Sequence, residues 1–373
     1  MQGHRRRALI GAAATAALGC ASPLLAQPRR IRIGSTFDHS SVEKANGNAL
    51  HGGATAFFKA FNKLHPQLQV ELADKDDQFK PDLARINAEA LAADPAVLAL
   101  LHPLGTRQTA AIMDAVRDLA IVGPNTGTAA LRKKGAPQVF WVRANYDQEI
   151  DKLVSTAATL GVTRIGLVHP NDPLGQSLLA AFNAATAKAG LKPAVIATTP
   201  NTTSMEVQAA VQAVTQAAPQ VLVMGLAGTL PVFVRALRDA GGTSTLYGLS
   251  IGASASNIAA LGAKSRGISF SLVVPSPFAA KHEIVRRYQA DMRAAGFAEF
   301  ALPSLEGYIN ARVLSEGLLR AGAIPSRASL LAALEGIESL DLGGMRIGYG
   351  KGRREGGSFV DVAVIGEGGK LMV

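Results

Sequence analysis

The stretch LALLHPLGTRQTAAIMDAV (98–116) sets a Gly-Thr-Arg turn between an apolar run and an amphipathic helical pattern. A junction of that kind can hold an oxyanion. The first N–H groups of a helix have no partner within it, and the peptide dipoles leave partial positive charge at that end. Gly105 lets the backbone approach closely, and the Thr106 hydroxyl either caps the helix or reaches a carboxylate. Arg107 has two readings: turned inward it clamps an acid bidentately, and turned outward it is surface charge. Further on, Gly123-Pro124-Asn125-Thr126-Gly127-Thr128 offers amide, hydroxyl and backbone groups without formal charge, in a composition that equally suits a turn.

Other chemistry finds less support. Neither G-x-x-x-x-G-K-[ST] nor G-x-G-x-x-G occurs, which removes the common nucleotide-binding signals. The histidines are dispersed without paired spacing, so no zinc site is expected. Asp74, Asp76 and Asp77 lack the Gly and terminal Glu of a calcium loop and read as a solvated turn. No cofactor is implied, and no nucleophile-base pair stands out.

These groups need elements to position them. At 373 residues, with 48% hydrophobic and 18% charged residues, the chain suits two globular domains whose cores are mainly aliphatic. Residues 1–26 read as a secretory signal peptide: Arg5-Arg6-Arg7, an Ala-rich apolar stretch from Ala8 to Gly19, then Pro23 and Ala26, with cleavage expected after Ala26. The arginine pair leaves a twin-arginine route open, and Cys20 leaves lipid attachment open. Without this segment the formal charge falls from +10 to +7 and the only cysteine is gone, so no disulfide framework is expected. No later apolar run has membrane-spanning length. The basic residues are scattered, which speaks against nucleic acid as a partner.

Past the signal, strand-like and helix-like segments alternate. IRIGST (31–36), LQVELAD (68–74), AVLALLH (96–102), AIVGP (120–124) and VFWVRAN (139–145) form one block, with helical patterns over 48–64, 81–93 and 106–119. RIGLVHP (164–170), PAVIATT (193–199), QVLVMGL (220–226), TLYGLS (245–250) and GISFSLVV (267–274) form a second, with helices between them. The fold class is therefore α/β, two Rossmann-like doubly wound lobes. Three helical patterns follow, over 281–295, 303–321 and 327–337, and then MRIGYG (345–350) and SFVDVAVIG (358–366) around a Gly- and Arg-rich hairpin. Those helices suit the uncovered face of the first sheet. We expect lobe 1 to comprise 27–143 and 276–357, lobe 2 to comprise 144–275 and 358–373, and three crossings to form the hinge.

So arranged, the chain resembles the type I periplasmic substrate-binding proteins of the branched-chain amino acid transport family. The resemblance rests on the order and spacing of IRIGSTFDHSS, DKDDQFKPDLA (74–84), GPNTGTAALR (123–132), NDPLGQS (171–177), PSLEGYINARVLSEGL (303–318) and the DLGGMRIGYGKG region. It implies an exported, monomeric, non-enzymatic receptor in the periplasm that closes two lobes on a small molecule and delivers it to the permease subunits of an ABC transporter. A sensor subunit for a signalling partner, or an enzyme using the same cleft, is the alternative.

The resemblance also implies a site. Thr106 falls at the carboxylate-binding Ser/Thr position, Asn125 and Thr126 in the second binding loop, and Phe37, Asp38 and Ser40 at the end of the first strand, with Ser41-Val42 replacing a common Gly-Pro. Leu174 stands where an aromatic is frequent. Ser250 falls where amino-acid binders place an acid for the ligand ammonium, and a buried ammonium without a carboxylate is poorly compensated. Carboxylates and amides lacking an ammonium therefore gain weight. Asp172 either supplies the missing charge or belongs to a turn, and Tyr146 either closes over the ligand or packs in the core.

Overall fold

The computed structural model describes residues 29–350 and 352–373. The expected signal peptide and Cys20 lie outside the described residues. The first half alternates β1 (Arg29–Phe37), α1 (Lys44–Leu64), β2 (Leu68–Asp76), α2 (Pro81–Ala93), β3 (Val97–Leu101), α3 (Thr106–Ala115), β4 (Ala120–Val122), α4 (Ala129–Lys133) and β5 (Val139–Phe140). All five strands run parallel in the order β2-β1-β3-β4-β5. VLALL and AIV are buried along their whole length, as strands covered on both faces must be. Strand order reverses between β1 and β3, so the loops leaving them diverge and open a crevice at their carboxyl ends.

The second half continues with α5 (Tyr146–Thr159), β6 (Arg164–Pro170), α6 (Pro173–Lys188), β7 (Lys192–Thr199), α7 (Gln208–Ala217), β8 (Val221–Met224), α8 (Leu230–Asp239), β9 (Thr245–Gly248), α9 (Ala255–Leu261) and β10 (Ser269–Leu272). The chain then forms α10 (Glu283–Ala294), α11 (Leu302–Arg320), α12 (Arg327–Glu335), β11 (Leu340–Asp341) and β12 (Arg346–Ile347), and ends with β13 (Asp361–Ile365) and β14 (Leu371–Met372). The second sheet has the order β14-β13-β10-β9-β8-β6-β7, with β13 antiparallel to both neighbours.

The last three helices return to the first sheet. α10 and α11 lie on α1, and α12 lies against β3 and β4. Glycine makes the closest approach possible: a Cβ on Gly53 would stand 1.7 Å from the Ser304 carbonyl oxygen, and one on Gly307 1.8 Å from that of Leu50. Arg327 fastens α12 by donating to the carbonyls of Ala92, Asp94 and Val97.

The expected hairpin after residue 345 is only a turn. Arg353 N donates to Gly350 O at 2.9 Å, but the flanking strands part: β12 pairs with β11, while β13 adds to β10. Between them the chain runs beside the first crossing, with Trp141 N donating to Arg354 O and Gly356 N to Trp141 O, each at 2.9 Å. Those bonds explain why the strand expected over 139–145 stops at Phe140: past it the backbone pairs with the returning chain instead of with β4. The short helices α4 and α9 carry too few turns to show an apolar stripe in the sequence.

Candidate functional site

The carboxyl ends of both sheets face a common cavity of about 390 Å³ whose wall comes from the two halves and their crossings. The N-terminus of α3 forms part of its wall. Its N-cap, Gly105, has φ +95°, and a Cβ there would meet Gln108 Oε1 at 2.5 Å and the Phe79 ring at 2.8 Å. No side chain caps this helix, so the N–H groups of Thr106, Arg107 and Gln108 point free of the helical ladder. The Thr106 Oγ1 lies 2.8 Å from Thr126 Oγ1 and 2.9 Å from Thr128 Oγ1, a ring of three hydroxyls that fixes its rotamer. Gly105, Thr106, Arg107 and Asn125 line the cavity, whereas Thr126 is buried behind Thr106. Arg107 is exposed and, like Lys80, borders the cavity.

Of the three acids expected in a solvated turn, Asp74 is exposed and Asp76 partly exposed at the end of β2, and only Asp77 is built in. Asp77 is fully buried, and its Oδ1 accepts from Phe79 N at 2.9 Å, holding Gln78 and Phe79 at φ +51° and +57°. Burial, with Asp38 and Asp76 nearby, pushes the Asp77 carboxyl up to about 7. The strained turn delivers Phe79 to the cavity wall.

The end of the first strand departs from expectation. Asp38 accepts from Ser40 N, Ser41 N and Glu43 N at 3.0, 2.6 and 2.7 Å, so its carboxylate is consumed in turning the chain into α1. Phe37 is buried, stacked on His39 and His51, and Ser40 Oγ donates to Asp76 Oδ2 at 2.6 Å. None of the three lines the cavity; that loop contributes Glu43 and Asn46. Asn46 Nδ2 donates to Glu43 at 2.7 Å, and the Gly228 N–H reaches it from the other half. Burial, with Asp38 nearby, nevertheless pushes the Glu43 carboxyl up to about 7.

Across the cleft, Leu174, Tyr146, Asp172 and Ser250 are all in the wall. Asp172 caps α6, its Oδ1 accepting from Gly175 N at 3.2 Å and its Oδ2 from Thr202 N at 2.9 Å. Its charge is thereby engaged within its own half. A G-x-S-x-G hydrolase signal was not expected in this chain, yet Ser250 sits in one, Gly248-Leu249-Ser250-Ile251-Gly252, the spacing of a nucleophile elbow. Its hydroxyl accepts from Arg143, and its N–H donates to Glu149 Oε2 at 3.0 Å and Ser271 Oγ at 3.1 Å. A guanidinium cannot serve as the base that such a serine needs.

The charged centre of the site escaped the sequence reading. Arg143 on the first crossing has Nη2 2.9 Å from Glu149 Oε1 on α5 and Nη1 3.4 Å from Glu306 Oε1 on α11. Its ring-facing side lies 5.8 Å from the Tyr146 centroid. Burial works against the guanidinium's charge, but Glu306 and Glu149 more than reverse this and hold it above its usual range. Burial raises the Glu306 carboxyl, with Arg143 opposing. The available signals were single charges in apolar runs, Arg143 in VFWVRAN and Glu306 in PSLEGYI. Among the described residues, no group of three or more His, Cys, Asp or Glu could hold a metal ion, and no helix is long and apolar enough to cross a membrane.

A model of the periplasmic binding protein family matches residues 30–369. No curated protein matches the chain. Among solved structures, a substrate-binding periplasmic protein from Ralstonia solanacearum is 28% identical over 92% of this chain and 99% of its own, with a TM-score of 0.83. An extracellular ligand-binding receptor from Verminephrobacter eiseniae is 26% identical over 92% and 100%, also at 0.83. A possible leucine/isoleucine/valine-binding protein from Rhodopirellula baltica, 23% identical over 95% and 98%, shares the fold at 0.86. With one parallel and one mixed sheet, the crossings between them and a cavity between the sheets' carboxyl ends, these matches establish that the chain belongs to the periplasmic binding protein family and has its type I fold.

Proposed function

We propose that the chain is the exported receptor of an ABC importer, trapping a small carboxylate-bearing molecule by closure of its two lobes. One observation carries this reading: the uncapped N-terminus of α3, with Thr106 Oγ1 fixed beside it, opens into a cavity walled by both lobes. The α3 N–H groups and Thr106 hold the carboxylate in the open form, Arg107 and Lys80 add positive potential at the rim, and Leu174, Tyr146 and Ser250 complete the enclosure on closing. The ligand thus favours the closed state by contacts that exist only there, and the importer reads the closed shape. A carboxylate ligand also agrees with a solute-binding protein of the same fold from R. palustris, 15% identical, which is in complex with benzoate.

A thermal-shift screen of amino acids, aliphatic and aromatic carboxylates and their amides tests the reading, because a ligand that binds the native state raises its apparent stability. Carboxylates are expected to raise the melting temperature and to be recovered unchanged after incubation. Stabilisation by uncharged compounds alone, or turnover of the bound compound, would overturn it.

A further inference from the structure

The centre of the cleft holds one guanidinium between two carboxylates, and they are not equivalent. Glu149 takes a charge-assisted bond from Arg143 at 2.9 Å, and its other oxygen accepts from Ser271 Oγ at 2.6 Å and Ser250 N at 3.0 Å. It is fully paired as an anion. Glu306 stands farther from Arg143, at 3.4 Å, its Oε1 is buried without a hydrogen-bond partner, and the residue is 5% exposed in the cavity wall. The single positive charge of Arg143 is matched by Glu149, so a second anion at Glu306 would be a buried charge without a counter-ion. The titratable and charged groups around Glu306 are Arg143, Glu149 and Arg132, with the Asn125 amide beside it, and the sum of their effects with burial raises its carboxyl. A ligand carboxylate arriving at α3 adds a further negative charge to the same cleft.

We propose that Glu306 meets the ligand as a neutral carboxylic acid and donates its O–H to a ligand oxygen. The cleft then selects a carboxylate carrying a second acceptor oxygen over the same acid carrying an ammonium. An ammonium would require Glu306 to lose its proton against burial, whereas a keto or hydroxyl oxygen takes the proton already there. The inference rests on the carboxylate reading of the α3 terminus and adds to it the second group of the ligand.

Propanoate, 4-methylpentanoate and 3-phenylpropanoate, each unsubstituted and with a 2-oxo, 2-hydroxy or 2-amino group, provide the probes. Melting temperature ranks them, and calorimetry in two buffers of different ionisation enthalpy counts the protons exchanged. The 2-oxo or 2-hydroxy acid of the best skeleton is expected to bind most tightly, with no proton exchanged while Glu306 is neutral in the free protein, and with proton uptake and affinity falling up to about tenfold per pH unit once it ionises there. Glu306→Gln keeps an N–H donor, so it should retain binding within a few-fold and flatten the pH profile; Glu306→Leu should lose about tenfold or more. The melting temperatures of the unliganded variants report any folding defect separately. Tightest binding by the 2-amino acid, proton release, or abolition of binding in Glu306→Gln would overturn the inference while leaving the carboxylate reading in place. Failure of every carboxylate to stabilise the protein would overturn both.

Discussion

Arg143 and Glu149 face each other at 2.9 Å with both side chains all but sealed from water, and the arginine belongs to a crossing while the glutamate belongs to the helix that follows. A buried pair of this kind contributes little relative to an apolar pair of the same shape, but removing one partner strands the other. Arg143→Met is therefore expected to cost about 3–5 kcal/mol in urea denaturation, since it leaves the Glu149 carboxylate buried without its counter-charge. Adding Glu149→Gln should return part of that loss. Equal stability of wild type and Arg143→Met would show that the network carries no such charge.

The contact between α1 and α11 allows no side chain at Gly307, where a Cβ would stand 1.8 Å from a backbone oxygen of Leu50. Backbone on both sides cannot yield as a flexible side chain would. Gly307→Ala should destabilise the protein by about 3 kcal/mol or more, despite alanine's better helix propensity. A denaturation midpoint at or above that of wild type would contradict this packing.

Glu43 ties stability to pH in a direction that can be stated in advance. Its carboxyl is raised from 4.5 to about 7, so between these values the folded protein binds more protons than the unfolded chain. Stability from this group is fully present below pH 4.5 and is lost as pH rises through about 7. Glu43→Gln, which cannot ionise, should exceed wild type at pH 8 by on the order of 2 kcal/mol and converge with it below pH 4.5. Parallel stability-pH curves for the two proteins would refute the assignment.

The alternation of strands and helices was legible because each parallel strand, buried on both faces, leaves an unbroken apolar run, as VLALL and AIV do. The α3 turn was legible for a similar local reason: glycine at a strand end before a helical pattern has few uses. What escaped the sequence depends on distant segments meeting. Arg143, Glu149 and Glu306 become one site only after the chain crosses and returns, and the Asp172 carboxylate is taken up by the N–H of a threonine from another loop. Phe37, Asp38 and Ser40 were placed by analogy with a loop that carries Gly-Pro; here three N–H groups converge on Asp38, and the turn they make brings Glu43 to the cavity wall in place of those three.

The central claim is that α3 and Thr106 hold a ligand's charged oxygens, and calorimetry on one compound in two forms tests it most directly. The best-binding carboxylate from the thermal screen and its methyl ester are titrated into wild type and Thr106→Val. The account predicts binding of the acid, loss of about a hundredfold or more for the ester, and loss of about tenfold for the acid on Thr106→Val. Equal affinity for acid and ester, or an unchanged affinity in Thr106→Val, would contradict it.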